Sequence, residues 1–339
     1  MTPSSLIKQP PHIIPELAID APAEIARIVS ALAQHLVEPL DRRGCVVVLS
    51  PSVESALCAA LAVRAVGQEH VLGLSLPDRE NRPGDDALAR RTAEHLGIEL
   101  VVEDITPVLD AVGCYSRRDA AIRLLIPRFT EAWRWQLLAR QEPTGSEREA
   151  FHQIVAESPE GERLVLRVPP PEHHAIAAAT AFRYRVRAML AYYYADLRQS
   201  AVIGSLNRRQ FEQGEFVKGG DGLSDIEPLA HLYSTQIAQL AVAMHIDASA
   251  IPRGVADVAA EFDAEGELRT AMAEDTFEMV LNAFNRGVHH SVTAARVGYS
   301  AAQVARLYRD ISRRRRATRY LHIPTLLTSE IAGEAQRAD

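Results

Sequence analysis

Among 339 residues there are only three cysteines and two tryptophans, and no apolar run reaches the 18 residues that a membrane crossing needs. Cys45, Cys58 and Cys114 are too few and too scattered for a disulfide framework. Cys45 and Cys58 sit in apolar surroundings and read as small core residues. The N-terminus, MTPSSLIKQPPHIIPEL, lacks the charged start and apolar centre of a secretory signal, so a cytoplasmic location is expected. Basic residues are in deficit: 37 against 44 acidic ones give a net charge of -7, which argues against nucleic acid as the main partner. Internal repeats and low-complexity segments are missing as well. A hydrophobic share of 47% with 24% charged residues leaves an ordinary soluble chain, long enough to bury a sizeable core.

The segment that says most is VVVLSPSVESALCAALAVRAVG, residues 46–67. A β-branched run meets a small-residue turn, which opens an Ala-rich helix near Glu54 that stops at Gly67. Backbone N–H groups at a helix start lack intrahelical partners and the helix dipole favours negative charge, so this turn is a natural anion site. Further elements follow in alternation. A helix spans 22–40, with Ile25, Ile28, Val29, Leu32, Leu36 and Leu40 at helical spacing. Strands are expected at 45–49, 70–76 and 99–103, with a helix at 85–96 stopped by Gly97. Alternation of this kind predicts an α/β fold, a doubly wound parallel sheet whose ligands sit at the carboxyl ends of its strands, where Ser50 lies.

Later residues are less regular. A helix carrying Trp133 and Trp135 is expected within 115–145, a strand closed by a proline cluster at 160–174, and a helix at 175–197. SAVIGS (200–205) reads as another buried strand and 233–245 as a helix. From Glu267 the chain is helical again, up to the basic run Arg313–Arg316. Residues 289–310 have helix-turn-helix spacing with Gly298 at the turn. The acidic balance of the whole chain argues against a DNA-binding role for it. The pairs His173–His174 and His289–His290 have no Cys or carboxylate spacing to support a metal and read as surface residues.

The turn Ser50-Pro51-Ser52-Val53-Glu54-Ser55 resembles the SGGxDS loop of the ATP pyrophosphatases. GSLNRRQFEQGEFVKGGDGLSDIEPLAHLYSTQIAQLA (204–241) resembles a segment of the NAD synthetases, with matches at Gly204, Asn207, Gly214, Phe216, Lys218, Gly220, Asp221, Gly222, Asp225, Pro228, Leu229, Leu232 and Gln236. The resemblance covers roughly residues 20–110 and 175–327. It implies an adenine nucleotide α-hydrolase-like sheet with a helical C-terminal part, and ATP-dependent amide ligation with Mg²⁺. The substrates it implies are a small-molecule carboxylate, nicotinic acid adenine dinucleotide or a related acid, and ammonia. Residues 1–22 are then an irregular lead, 23–330 the synthetase-like domain with an atypical insertion at about 115–170, and 331–339 a tail.

By the same resemblance, Ser50, Ser52, Val53, Glu54 and Ser55 line a pyrophosphate loop, with Ser205 near the nucleotide. Glu54 and Gln210 stand where the family holds its metal. Arg187, Lys218, Asp221 and Asp225 fall where it holds the dinucleotide, and Arg314 and Arg315 where a basic run reaches phosphate. Ser50, Ser52, Ser55 and Lys218 are the expected catalytic set. A homodimer is implied, and the tyrosines of 185–197 suit its interface. The expected nitrogen source is free ammonia, a different amine, or ammonia from a separate glutaminase, since the chain starts directly at the synthetase portion.

Three departures stand out. Pro51 and Ser52 replace paired glycines, and a proline fixes φ and removes an N–H donor. Glu54 replaces an Asp, and Gln210 offers a neutral oxygen in place of a carboxylate. These leave two readings open: an active ligase, or a homologue that binds a nucleotide or dinucleotide and acts through partners.

Overall fold

The computed structural model describes residues 14–81, 84–140, 151–246 and 272–329. The lead at 1–22 lies mostly outside them and the tail at 331–339 wholly so.

Four strands form a parallel sheet in the order β3–β2–β1–β7: β1 (Gly44–Val48), β2 (Val71–Ser75), β3 (Glu99–Val102) and β7 (Ser200–Ile203). Its central strands are apolar on both faces, as a parallel sheet covered by helices requires. On one face α1 (Ala21–Val37), α2 (Val53–Val66) and α8 (Ser234–Ala243) bury Ile28, Leu32, Leu57, Leu61, Ile237 and Leu240. The other face is covered by α4 (Thr106–Ala111), α5 (Cys114–Leu125) and α6 (Pro170–Arg198), around Leu72, Leu74, Ile105, Leu109 and Tyr115. Helix α3 (Asp85–Leu96) connects β2 to β3. Cys45 and Cys58 are both wholly buried, as their apolar neighbours foretell.

The C-terminal part is helical. Helices α9 (Glu274–Asn285), α10 (His290–Val297) and α11 (Ala301–Thr318) enclose Val280, Leu281, Val304, Leu307 and Ile311. Gly298 ends α10 with φ 73°, the left-handed turn that the spacing calls for. Short helix α7 (Arg208–Gln213) follows β7 and packs beside α11.

One expectation needs correcting. Trp133 and Trp135 do not lie on a helix: Trp133 sits just before strand β4 (Arg134–Arg140), and Trp135 is on it. With β5 (Phe151–Glu157) and β6 (Arg163–Val168), β4 forms an antiparallel sheet ordered β4–β5–β6. Its period-two pattern sends Trp135, Leu137, Ile154, Ala156, Leu164 and Leu166 to one face, against Ile122, Ile126 and Ile176 of the flanking helical region. Helix α6 begins at Pro170, a residue suited to a first helical turn, and thus starts earlier than periodicity indicates.

Candidate functional site

The carboxyl ends of β1 and β7 lie side by side, with β2 on the other flank of β1. The chain runs from β1 to β2 on one side and returns to β7 on the other, so this is where the direction of winding reverses and where such sheets bind ligands. The Ser50 turn and the Gly204–Ser205 turn leave from these two strand ends. Cys58 in α2 donates its thiol to the Gly204 carbonyl at 3.3 Å and ties the two turns together.

The Ser50 turn closes on itself through its hydroxyls. Ser52 caps α2, accepting from Ser55 N–H at 3.2 Å. Buried Ser55 donates towards the Ser50 and Ser52 carbonyls and accepts from the Ser50 N–H at 3.1 Å. Ser50 and Ser52 hydroxyls lie 3.0 Å apart, and Ser50 is exposed. Pro51 supplies no N–H, and the Ser52 N–H is spent on the Ser50 carbonyl at 2.7 Å. The contacts within this turn are therefore made largely by serine hydroxyls. Val53 is buried behind them in the sheet–helix core.

Glu54 is in the first turn of α2, and burial pushes its carboxyl above the usual range. It accepts from the Asn207 amide at 3.3 Å. A carboxylate and a polyphosphate at one helix start repel each other unless a divalent cation lies between them. Glu54 offers one hard carboxylate oxygen donor of the kind magnesium takes. Gln210 does not fit that role: its Oε1 accepts from the Asn207 N–H at 2.9 Å, in a capping box that starts α7. Among the described residues no group of three or more His, Cys, Asp or Glu side chains is arranged to hold a metal.

Beside the turn lies a cavity of about 390 Å³, lined by Ser50, Pro51, Ser75, Asp86, Arg183 and Arg187 among others. A network that the sequence does not reveal builds its floor. The Asp78 side chain is wholly buried and accepts from Arg183 at 2.9 Å and from Arg187 at 2.9 Å. Glu80 joins this pair to Arg118, itself 3% exposed and bonded to Asp119 at 2.8 Å. Arg187 also donates to the Leu76 carbonyl, and burial together with Arg183 draws its pKa down. Glu227 is a second residue without a sequence signal: it accepts from the Leu206 N–H at 3.0 Å, and burial pushes its carboxyl up to about 7.

The remaining expected residues are dispersed. Asp221 is near Arg187 and accepts from the Val217 N–H at 2.7 Å. Asp225 takes the Val202 N–H and the Tyr192 hydroxyl, so it braces β7 against α6. Lys218 donates to the carbonyls of Tyr320 and Ile323 in the C-terminal segment. Arg314 donates to the Gln213 carbonyl, and Arg315 pairs with Glu212 at 2.6 Å, so both face α7. Ser205 is half-buried in the turn after β7.

A family model described as NAD synthase matches residues 24–124 and 170–315. The NH3-dependent NAD+ synthetase of Mesorhizobium japonicum is 38% identical over 318 residues, spanning 93% of this chain and 99% of that protein. The corresponding synthetase of Rhizobium meliloti is also 38% identical, over 316 residues. A span of 93% of this chain is too great for the stretch between the two matched blocks to fall wholly outside it. Among solved structures, the NH3-dependent NAD synthetase of Campylobacter jejuni superposes with a TM-score of 0.59 at 18% identity, covering 91% of this chain and all of that one, which shows the fold. The chain belongs to the NAD synthase family.

Proposed function

We propose that this chain is an ammonia-dependent ligase that completes NAD from nicotinic acid adenine dinucleotide. The nicotinate carboxylate attacks the α-phosphorus of ATP, and the bond to pyrophosphate breaks. Ammonia then attacks the acyl carbon, AMP leaves, and a proton is lost as the amide forms. The observation that carries this reading is the helix start at Ser52–Ser55, set at the strand ends and already bearing a carboxylate. Extensive identity to NH3-dependent synthetases favours catalysis over mere nucleotide binding.

In this reading Ser50 and Ser52 open their mutual contact and donate to the leaving pyrophosphate, stabilising charge where it develops. Glu54 would hold magnesium, and the ion would supply neutralisation of the charge on the leaving group. Arg187, fixed by Asp78, faces the cavity as a positioned cation. The exposed stripe Met189, Tyr193 and Leu197 on α6, at i, i+4 and i+8, is offered as the face that pairs two copies.

The test is incubation with ATP, Mg²⁺, ammonium and the dinucleotide acid, with products read by mass. Expected are NAD, AMP and pyrophosphate in equal amounts. Nicotinic acid mononucleotide turned over in preference would replace the proposed acid, and no product with either acid would refute the ligase reading.

A further inference from the structure

A row of charged side chains, alternating in sign, runs from α5 to the cavity beside the Ser50 turn. Asp119 and Arg118 lie on α5, Glu80 and Asp78 on the turn after β2, and Arg183 and Arg187 on α6. Asp119 accepts from Arg118 at 2.8 Å, and Arg118 donates to Oε1 of Glu80 at 2.5 Å. Oε2 of the same carboxylate accepts from Arg183 at 3.1 Å. Arg183 also gives Asp78 two donors, Nε at 2.9 Å and Nη2 at 3.1 Å, and the oxygen that takes Nε takes Arg187 as well, at 2.9 Å. Glu80, Arg183 and Arg187 line the cavity, whereas Arg118 and Asp119 do not. Those two are buried, with side chains 3% and 7% exposed.

Arg183 is shared between two carboxylates, and this sharing sets the sense of the coupling. Each oxygen of Glu80 has one guanidinium partner. Without the Arg118 charge, Glu80 has Arg183 alone to satisfy both oxygens, and a forked pair draws Arg183 on to it and off Asp78. Asp78 is wholly buried, so Arg187 must then neutralise it unaided, and that guanidinium is pulled inward. With Arg118 in place, Arg183 covers Asp78 and Arg187 gives it a single N–H. Another N–H of Arg187 goes to the Leu76 carbonyl at 3.3 Å, which leaves the rest of its fork to face the cavity.

We infer that Arg118, acting through Glu80 and Arg183, is a positioning residue for Arg187 and sets how tightly the cavity beside the Ser50 turn holds a phosphate-bearing ligand. The inference rests on the ligase reading in naming that ligand, ATP or the dinucleotide acid. Arg118 touches neither; it governs where the Arg187 cation stands.

The far end of the row carries its own reporter. The Arg118 guanidinium lies 5.2 Å from the Trp135 ring centre, and the chain has only two tryptophans. ATP with Mg²⁺ and the dinucleotide acid are titrated separately against the whole protein, with emission and calorimetry read together. The ligand that meets Arg187 should shift the emission saturably. Glu80→Gln cuts the row at a partly exposed position and should abolish that shift while the ligand still binds. A shift that survives Glu80→Gln would mean that the ligand touches the tryptophans directly, and would overturn the inference. Arg118→Gln with Asp119→Asn removes both charges, so no lone buried carboxylate is left on α5. Once its folding is verified by urea midpoint, this double variant should bind the same ligand roughly three- to thirtyfold more weakly, and Arg118→Lys should recover part of the loss. In an Arg187→Gln background the same double change should have little further effect, because the group it acts through is gone. Unchanged affinity in the double variant, a full multiplicative loss in the Arg187→Gln background, or no emission shift with either ligand would overturn the inference. The expected responses in a protein that forms no NAD would refute the ligase reading and leave the positioning role standing.

Discussion

Asp78 shows how much of this site hangs on single side chains. It is wholly buried and accepts from two arginines that reach it from α6. Asp78→Ala would strand both guanidinium groups in a partly dry setting, and a loss of about 3 kcal/mol in chemical denaturation is expected. Nothing in LPDRE singles this aspartate out, because its partners stand over a hundred positions away, at |i−j| = 105 and 109. Ser52 and Glu54 were legible, by contrast, because a helix cap and a first-turn acid are local signals. Glu227 was invisible for the same reason as Asp78: its burial is set by the turn at Gly204, where an added Cβ would lie 2.0 Å from the Glu227 carboxylate. A carboxyl held near 7 in the fold and 4.5 in the open chain stabilises the fold fully below pH 4.5, and that contribution is lost as pH rises through 7. Glu227→Gln should therefore flatten the stability profile between pH 4.5 and 7, by on the order of 2 kcal/mol across the window, followed by urea midpoints at each pH.

Elements were read well wherever the pattern was local and strong. The parallel strands and α1 to α3 came from periodicity, glycine stops and one capped turn. Trp133 and Trp135 misled because a short amphipathic strand and a short helix look alike over a few residues, and the pairing that decides the matter is made with β5, outside that stretch. Helix α8 is held by a device that sequence spacing could not disclose. Glu278 on α9, 0% exposed, accepts the N–H groups of Ser234 at 2.7 Å and Thr235 at 3.1 Å, and the Thr235 hydroxyl at 2.8 Å. Its carboxylate takes the orphan donors at the start of α8 and faces the positive end of the helix. Glu278→Ala leaves those donors buried and unmet, and a loss of roughly 2 to 3 kcal/mol is expected in thermal or urea unfolding. Arg314 and Arg315 were correctly placed on a terminal helix, but they turn inward to α7, engaged with Gln213, Glu212 and Asn285.

Across the whole molecule, the family resemblance and the alternation of strands and helices led to the same architecture, and the identity to NH3-dependent synthetases supports the same chemistry. What the sequence left undetermined is how the elements meet, above all which residues floor the cavity beside the Ser50 turn. The proposed pairing of two copies depends on the exposed α6 stripe, where Tyr193 is 58% and Leu197 67% exposed. Tyr193→Glu should shift a dimer towards monomer by at least tenfold in its dissociation constant, read by sedimentation, with the monomer's own fold retained.

The proposed ligase chemistry puts pyrophosphate release at the Ser50–Ser55 turn, through Glu54 and without Gln210. The most direct measurement is the rate of pyrophosphate release with ATP, Mg²⁺, ammonium and the dinucleotide acid, compared across wild type, Glu54→Ala and Gln210→Ala. Loss of a hundredfold or more in Glu54→Ala, with Gln210→Ala within a few fold of wild type once its folding is verified, is the predicted result. Undiminished release in Glu54→Ala would contradict the account, and so would a collapse confined to Gln210→Ala.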